Sequence, residues 1–227
     1  MDFFSGFRLP YPLELWPFVI IAIVIAFTLH EFAHAYAAYK FGDPTAYRQG
    51  RVTLNPLAHL DVFGVIFIFL AGFGWAKPVP VNRYHFRRPR LMGVVTTVVG
   101  PLSNLLIAFV GLVLLVVIRK LGIDAASPGV QEAVFAFFNI LIQLNIVLFI
   151  FNLIPLPPLD GYRIVEDLLP NHVRAKLSQY EHWGMLIFLI MVFIGPIRSF
   201  TLDPIFRLTG DVFMALIGIV RWMFGMP

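Results

Sequence analysis

Five consecutive residues, His30-Glu31-Phe32-Ala33-His34, carry the strongest chemical signal in the chain. On a helix the two imidazoles fall on one face, a turn apart, and can bind a single metal ion from the same side. Glu31 lies beside them, placed to take a proton from a metal-activated water. The motif is set in an apolar run, where ionisable side chains cost on the order of several kcal/mol unless they have partners or a function. A His–Glu cluster that merely tied a helix bundle together would not need this spacing. Two histidines leave a catalytic zinc site incomplete, because such a site takes three protein ligands and keeps one position open. The chain has no cysteine. Disulfides and thiolate ligands are therefore excluded, and the missing ligand has to be a histidine, a carboxylate or an amide.

The surrounding sequence has to place these residues in a membrane. Of 227 residues, 59% are hydrophobic and only 13% charged, and the mean hydropathy is +0.83. Soluble domains run near about 25% charged. The apolar residues come in long blocks that must face lipid, which predicts an all-α polytopic membrane protein with four to six membrane segments. The net charge of +4 fits loop orientation and gives no footprint for nucleic acid. The first block has no basic cluster before it and no small-residue cleavage site after it, so it reads as a retained span rather than a signal peptide.

Span one runs from about Leu15 to Tyr39 and is broken by Asp43-Pro44. The apolar stretch Val62–Ala71 is too short to cross as a helix. With the alternating segments Arg51–Leu54 and Pro78–Val81 around it, it predicts a small membrane-associated β or re-entrant region. Span two covers about Leu91–Ile118 and span three about Ala133–Ile154. The segment Pro155–Gly161 cannot continue as a regular helix. A polar, amphipathic stretch follows to residue 182. A fourth span is expected at about Trp183–Ile194, and a last apolar helix at about Val212–Met223. Residues 1–227 form one membrane-embedded domain, with its core at about 15–182 and C-terminal membrane segments at about 183–224.

Lysines and arginines orient these spans. The stretch from Lys40 to Arg90 contains eight basic residues (Lys40, Arg48, Arg51, Lys77, Arg83, Arg87, Arg88, Arg90), and Arg163, Arg174 and Lys176 follow span three. The opposite side receives Arg8, Arg119, Lys120, Arg198 and Arg207. The basic-rich side is the cytoplasmic one, so spans one and three both end there. His34 then lies roughly 10 Å below that surface. Span three delivers Asp160 to the same side, flanked by prolines and by Gly161. Ligand need and charge topology converge on His30, His34 and Asp160 as holders of one Zn²⁺, with Glu31 as base.

This combination resembles the site-2 protease family of intramembrane zinc metalloproteases. The resemblance is carried by His30–His34, by Gly100-Pro-Leu-Ser-Asn104, and by Asn152-Leu-Ile-Pro-Leu-Pro-Pro-Leu-Asp-Gly161. Arg51–Gly64 and Gly74–Asn82 are similar to the family's intervening region. The resemblance implies a minimal member, without PDZ or CBS domains, that cleaves transmembrane segments of single-span membrane proteins in regulated intramembrane proteolysis. It implies substrates pre-trimmed by another protease, the lipid bilayer as surroundings and no nucleic-acid partner. It also implies Asp160 as third ligand, with Asn104 and Asn152 lining the site as substrate-binding residues. The expected location is a prokaryotic inner membrane, with the site toward the cytoplasm.

Other polar residues have plainer readings. Asn139, Gln143 and Asn145 suit interhelical hydrogen bonds, and His59 and Asp61 suit local turn bonding. His85 falls in a basic run suited to anionic headgroups, and His172 and His182 read as solvated. The rival class, a zinc transporter or non-catalytic scaffold, calls for a succession of ligands across the membrane, and the sequence offers one compact cluster.

Overall fold

The computed structural model describes residues 12–71, 74–123 and 127–226. Arg8, counted above among the basic residues of the opposite side, lies outside the described residues. Helix α1 (Trp16–Lys40) opens with Pro17 in its first turn, where no N–H is needed, and contains the whole His30–His34 motif. Its end is set by Gly42, at φ +98, a left-handed conformation that a side chain would strain. The fully buried Asp43 follows. It accepts from Thr45 N at 3.0 Å, starting the short helix α2 (Thr45–Arg48), and from Asn82 N at 2.6 Å. His85 Nδ1 lies 3.1 Å from the same carboxylate. His85 is thus bound to the end of α1, where a headgroup contact was expected.

The expected β region is absent among the described residues. Val62–Ala71 is a ten-residue helix, α3, capped by Asp61, which accepts from Gly64 N at 2.9 Å. Pairing is limited to one antiparallel bridge, Leu60 with Ala76, and to Lys77 N donating to His59 O at 2.8 Å. The reason lies in the next residues. Pro78 and Pro80 have no N–H, so the ladder cannot propagate beyond Lys77. His59 and Asp61 do bond locally as read, although His59 is fully buried, with Nε2 2.7 Å from Thr53 O.

Helix α4 (Pro89–Lys120) is the centre of the bundle and packs against α1 and α5 (Pro128–Asn152). Ser127 Oγ caps α5 by accepting from Val130 N at 3.3 Å. The proline-rich break then interrupts the helix, with a cis peptide between Pro157 and Pro158, until α6 begins (Asp160–Leu168). A Cβ at Gly161 would lie 2.3 Å from Leu153 O. Glycine is therefore what allows α6 to fold back against the end of α5 and aim Asp160 at α1.

Helix α6 is held from its far end by charge. Asp167, 1% exposed, meets Arg83 at 2.8 Å, and Gly93 of α4 leaves the room for it. Burial pushes the Asp167 carboxyl above its usual range, with Arg83 and Arg174 acting against that rise. Arg163 pairs with Glu166 at 3.1 Å and also with Glu181. These groups tie α6, α7 (Asn171–Gln179) and the start of α8 (Glu181–Phe193) together.

Three helices, α1, α4 and α5, are long and apolar enough to cross a membrane. A fourth span is counted only if α8 and α9 (Gly195–Phe224), bent by 94°, form one. Five or six spans are not found among the described residues. The separate last helix expected at 212–223 is instead the second half of α9, which runs on through Pro204. Packing overrides that break. Leu202 joins Ile154 and Phe188 ahead of the proline, and Leu216 and Val220 join Ile146 and Ile150 of α5 further on.

Candidate metal centre

The i, i+4 spacing on α1 stacks the His30 and His34 rings edge to face, with centroids 4.6 Å apart. Asp160 arrives from the first turn of α6. His30 Nε2 and His34 Nε2 are 3.1 Å apart, and Asp160 Oδ2 is 3.1 and 3.3 Å from them. Both histidines and Glu31 are 8% exposed. A Cβ at Gly100 would lie 2.2 Å from His34 Nε2. Only glycine lets α4 press so closely on the ring pair.

The proton positions follow from groups that can only accept. Thr96 O is 2.7 Å from His34 Nδ1, so that nitrogen carries the proton. For His30 the chain of bonds is longer. Asn145 Nδ2 donates to Leu141 O at 2.8 Å, which turns Asn145 Oδ1 toward Asn104. Asn104 Nδ2 donates to that oxygen at 2.9 Å, which leaves Asn104 Oδ1 facing His30 Nδ1 at 2.7 Å. That network assigns the proton of His30 to Nδ1 as well. Three proton-free acceptors, two Nε2 lone pairs and a carboxylate oxygen, therefore converge within hydrogen-bond distance of one another. Asp160 Oδ2 has no hydrogen-bond donor among the described residues. Acceptors packed this closely repel unless a cation lies among them. Ligand atoms about 2.0–2.1 Å from a tetrahedral Zn²⁺ are separated by about 3.3 Å, close to the distances seen. The donor set fits zinc.

Glu31 points to a different neighbour. Its Oε2 accepts from Val79 N at 3.0 Å, in the proline-flanked segment that follows the Leu60–Ala76 bridge.

The chain is similar to YwhC of Bacillus subtilis, with 52% identity over 213 residues, covering 92% of this chain and 95% of that one. Residues 120–195, which include Asp160, match the profile of Peptidase family M50. The chain belongs to peptidase family M50. This is the site-2 protease family that the motifs pointed to. Two more distant relatives are Rip2 of Mycolicibacterium smegmatis, 29% identical over 83% of this chain and 71% of that one, and MJ0611 of Methanocaldococcus jannaschii, 27% identical over 65% and 68%. All three carry provisional names as zinc metalloproteases. No solved structure matches the chain.

As an M50 member the chain is an integral membrane protein with a zinc-type donor set, and the structure assigns its polar residues as follows. His30, His34 and Asp160 come together. Asn104 is fully buried, with its amide N–H groups directed at Asn145 and at Ala26 O. Its Oδ1 supports His30 Nδ1 from behind. Asn152, half-buried in the last turn of α5, donates to Leu148 O at 3.0 Å. Two contributors were missed in the sequence: Thr96 O and Val79 N–H. Both are backbone groups, which residue type cannot signal.

Orienting groups behind metal-binding histidines typically contribute about 10–100-fold in affinity. Asn104→Ala is expected to weaken zinc binding by that factor in a chelator competition titration. An unchanged affinity would detach Asn104 from the site.

Proposed function

We propose that the chain is an intramembrane zinc endopeptidase that hydrolyses peptide bonds in or near the transmembrane segments of single-span membrane proteins, as in regulated intramembrane proteolysis. The observation that supports it most is the convergence of Asp160, within 3.3 Å, on His30 and His34 of a helix apolar enough to span. These three would hold the ion. A bound Zn²⁺ would supply Lewis-acid activation of hydrolysis.

The chain's own residues do the remainder. Glu31, buried and one residue from His30, takes a proton from the attacking water as the water oxygen bonds to the scissile carbonyl carbon. It gives that proton to the leaving amine as the C–N bond breaks. Asn152, eight residues before Asp160, offers an amide that can pair with the backbone of an unwound substrate. Unwinding comes first, because the amides of a transmembrane helix are satisfied internally. Helix-weakening residues in the substrate, and prior trimming by another protease, therefore favour cutting.

The basic residues on one side support a site toward the cytoplasm, in a prokaryotic inner membrane. On this cysteine-free chain, single cysteines replacing Arg88 and Lys176 are expected to react from the cytoplasm, and one replacing Ser127 from outside. Reversed labelling would break the topology. The function itself is tested by co-expression with a panel of single-span membrane proteins from the same genome. At least one is expected to be cut by the wild type and left whole by a chain lacking Glu31. Cleavage that ignores Glu31 throughout the panel would overturn the assignment.

A further inference from the structure

Arg51 is 4% exposed, yet among the described residues no carboxylate comes within 4 Å of it. A buried cation without compensation is costly, so its partners matter. Nη2 donates to Lys77 O at 2.5 Å and Nη1 donates to Pro78 O at 3.2 Å. The next peptide N–H, that of Val79, donates to Glu31 Oε2 at 3.0 Å. The Pro78–Val79 peptide is trans, so its oxygen and its N–H point in opposite directions. One planar group thus has the guanidinium at its oxygen and the Glu31 carboxylate at its nitrogen. Guanidinium, peptide dipole and carboxylate lie in series, each polarising the next. Burial pulls the Arg51 guanidinium below its ordinary range, and the charge on Glu31 opposes that shift.

The segment has little freedom to do anything else. Lys77 N is bound to His59 O, and the flanking Pro78 and Pro80 have no N–H of their own. Val79 supplies the one donor between Lys77 and Val81, and Glu31 receives it.

We propose that Arg51 is a positioning residue for Glu31, acting through the Pro78–Val79 peptide group. It fixes Oε2 of Glu31 against Val79 and leaves Oε1 as the oxygen that handles the proton. This rests on the protease reading of the site, with Glu31 as base. The clamp itself is a property of the folded chain and is measurable without any turnover.

The full chain, loaded with zinc in detergent micelles, is followed by amide hydrogen exchange at Val79 as wild type and as Arg51→Gln. Slow exchange is expected in the wild type and exchange at least about tenfold faster in the variant. Equal rates overturn the clamp, whatever the chain cleaves. In cleavage assays, Arg51→Gln is expected to lower kcat roughly 10- to 100-fold, the cost of a misplaced catalytic group, with KM and zinc content unchanged. Arg51→Lys, which keeps the charge but cannot fork across two carbonyls, recovers part of the loss. Should Arg51→Gln fail to fold, Val79→Pro deletes the same N–H without removing the buried charge, and is expected to show the same fall in kcat. A wild-type kcat in folded Val79→Pro or Arg51→Gln overturns the positioning role while leaving the protease assignment intact. So does a loss confined to KM or zinc content. A wild type that cleaves nothing counts against the protease reading and leaves the exchange result to decide the clamp.

Discussion

Glu31→Gln is expected to retain zinc at the wild-type level and to cleave about 10²–10⁴-fold more slowly, the range that general acid–base catalysis contributes. The glutamine has the same size, and its side-chain oxygen can still accept from Val79 N–H, which holds Oε2 at 3.0 Å in the native chain. The fold around it loses no hydrogen bond. What it loses is the ability to accept a proton at neutral pH. Single-turnover cleavage of a reconstituted single-span substrate reads the rate, and elemental analysis of the same sample reads the metal. A rate near wild type would mean that Glu31 is not the base.

The second large effect concerns the ligands themselves. Asp160→Asn keeps the shape of the side chain but removes the charge from an oxygen 3.1 and 3.3 Å from the two imidazole nitrogens. It also places an N–H donor where proton-free acceptors converge, so it can hydrogen-bond the imidazoles and satisfy them without a cation. His34→Ala removes one acceptor outright and leaves Thr96 O without its donor. Each is expected to lower zinc content well beyond the roughly 10–100-fold affinity loss typical of supporting residues such as Asn104. Full occupancy in both variants would move the metal elsewhere. Since bound metal stabilises the native state by mass action, wild type and variants should also differ in thermal stability when zinc is present and converge when it is chelated.

Much of the site was legible because its chemistry is local in sequence. The pair His30 and His34 needs only helical spacing, and α1 supplies it. Asp160 is long-range, but charge topology restricted where span three could end, and Gly161 marked the tight fold-back that aims it. The three long spans followed from apolar length. The β region failed because alternation in Pro78–Val81 was read without weighing the donors that Pro78 and Pro80 remove. The last helix was expected only from about Val212, whereas α9 begins at Gly195 and runs through Pro204, with Leu202, Leu216 and Val220 packed along it. Asn104 was read as a substrate-binding residue, and in the folded chain its amide contacts His30 and Asn145. Its neighbour Asn145, 41 residues away, decides which way its amide turns. Arg51 was visible in sequence as a basic residue, but its partners are backbone carbonyls of Lys77 and Pro78, and only the folded chain shows them.

The most direct test is cleavage by the purified chain in proteoliposomes after its metal has been stripped with a chelator, followed by stepwise return of Zn²⁺. Cleavage is expected to vanish on stripping and to recover in proportion to zinc, levelling off at about one ion per chain, the capacity of a single three-ligand site. Cleavage that persists in the metal-free protein would contradict a zinc-dependent protease built on His30, His34 and Asp160.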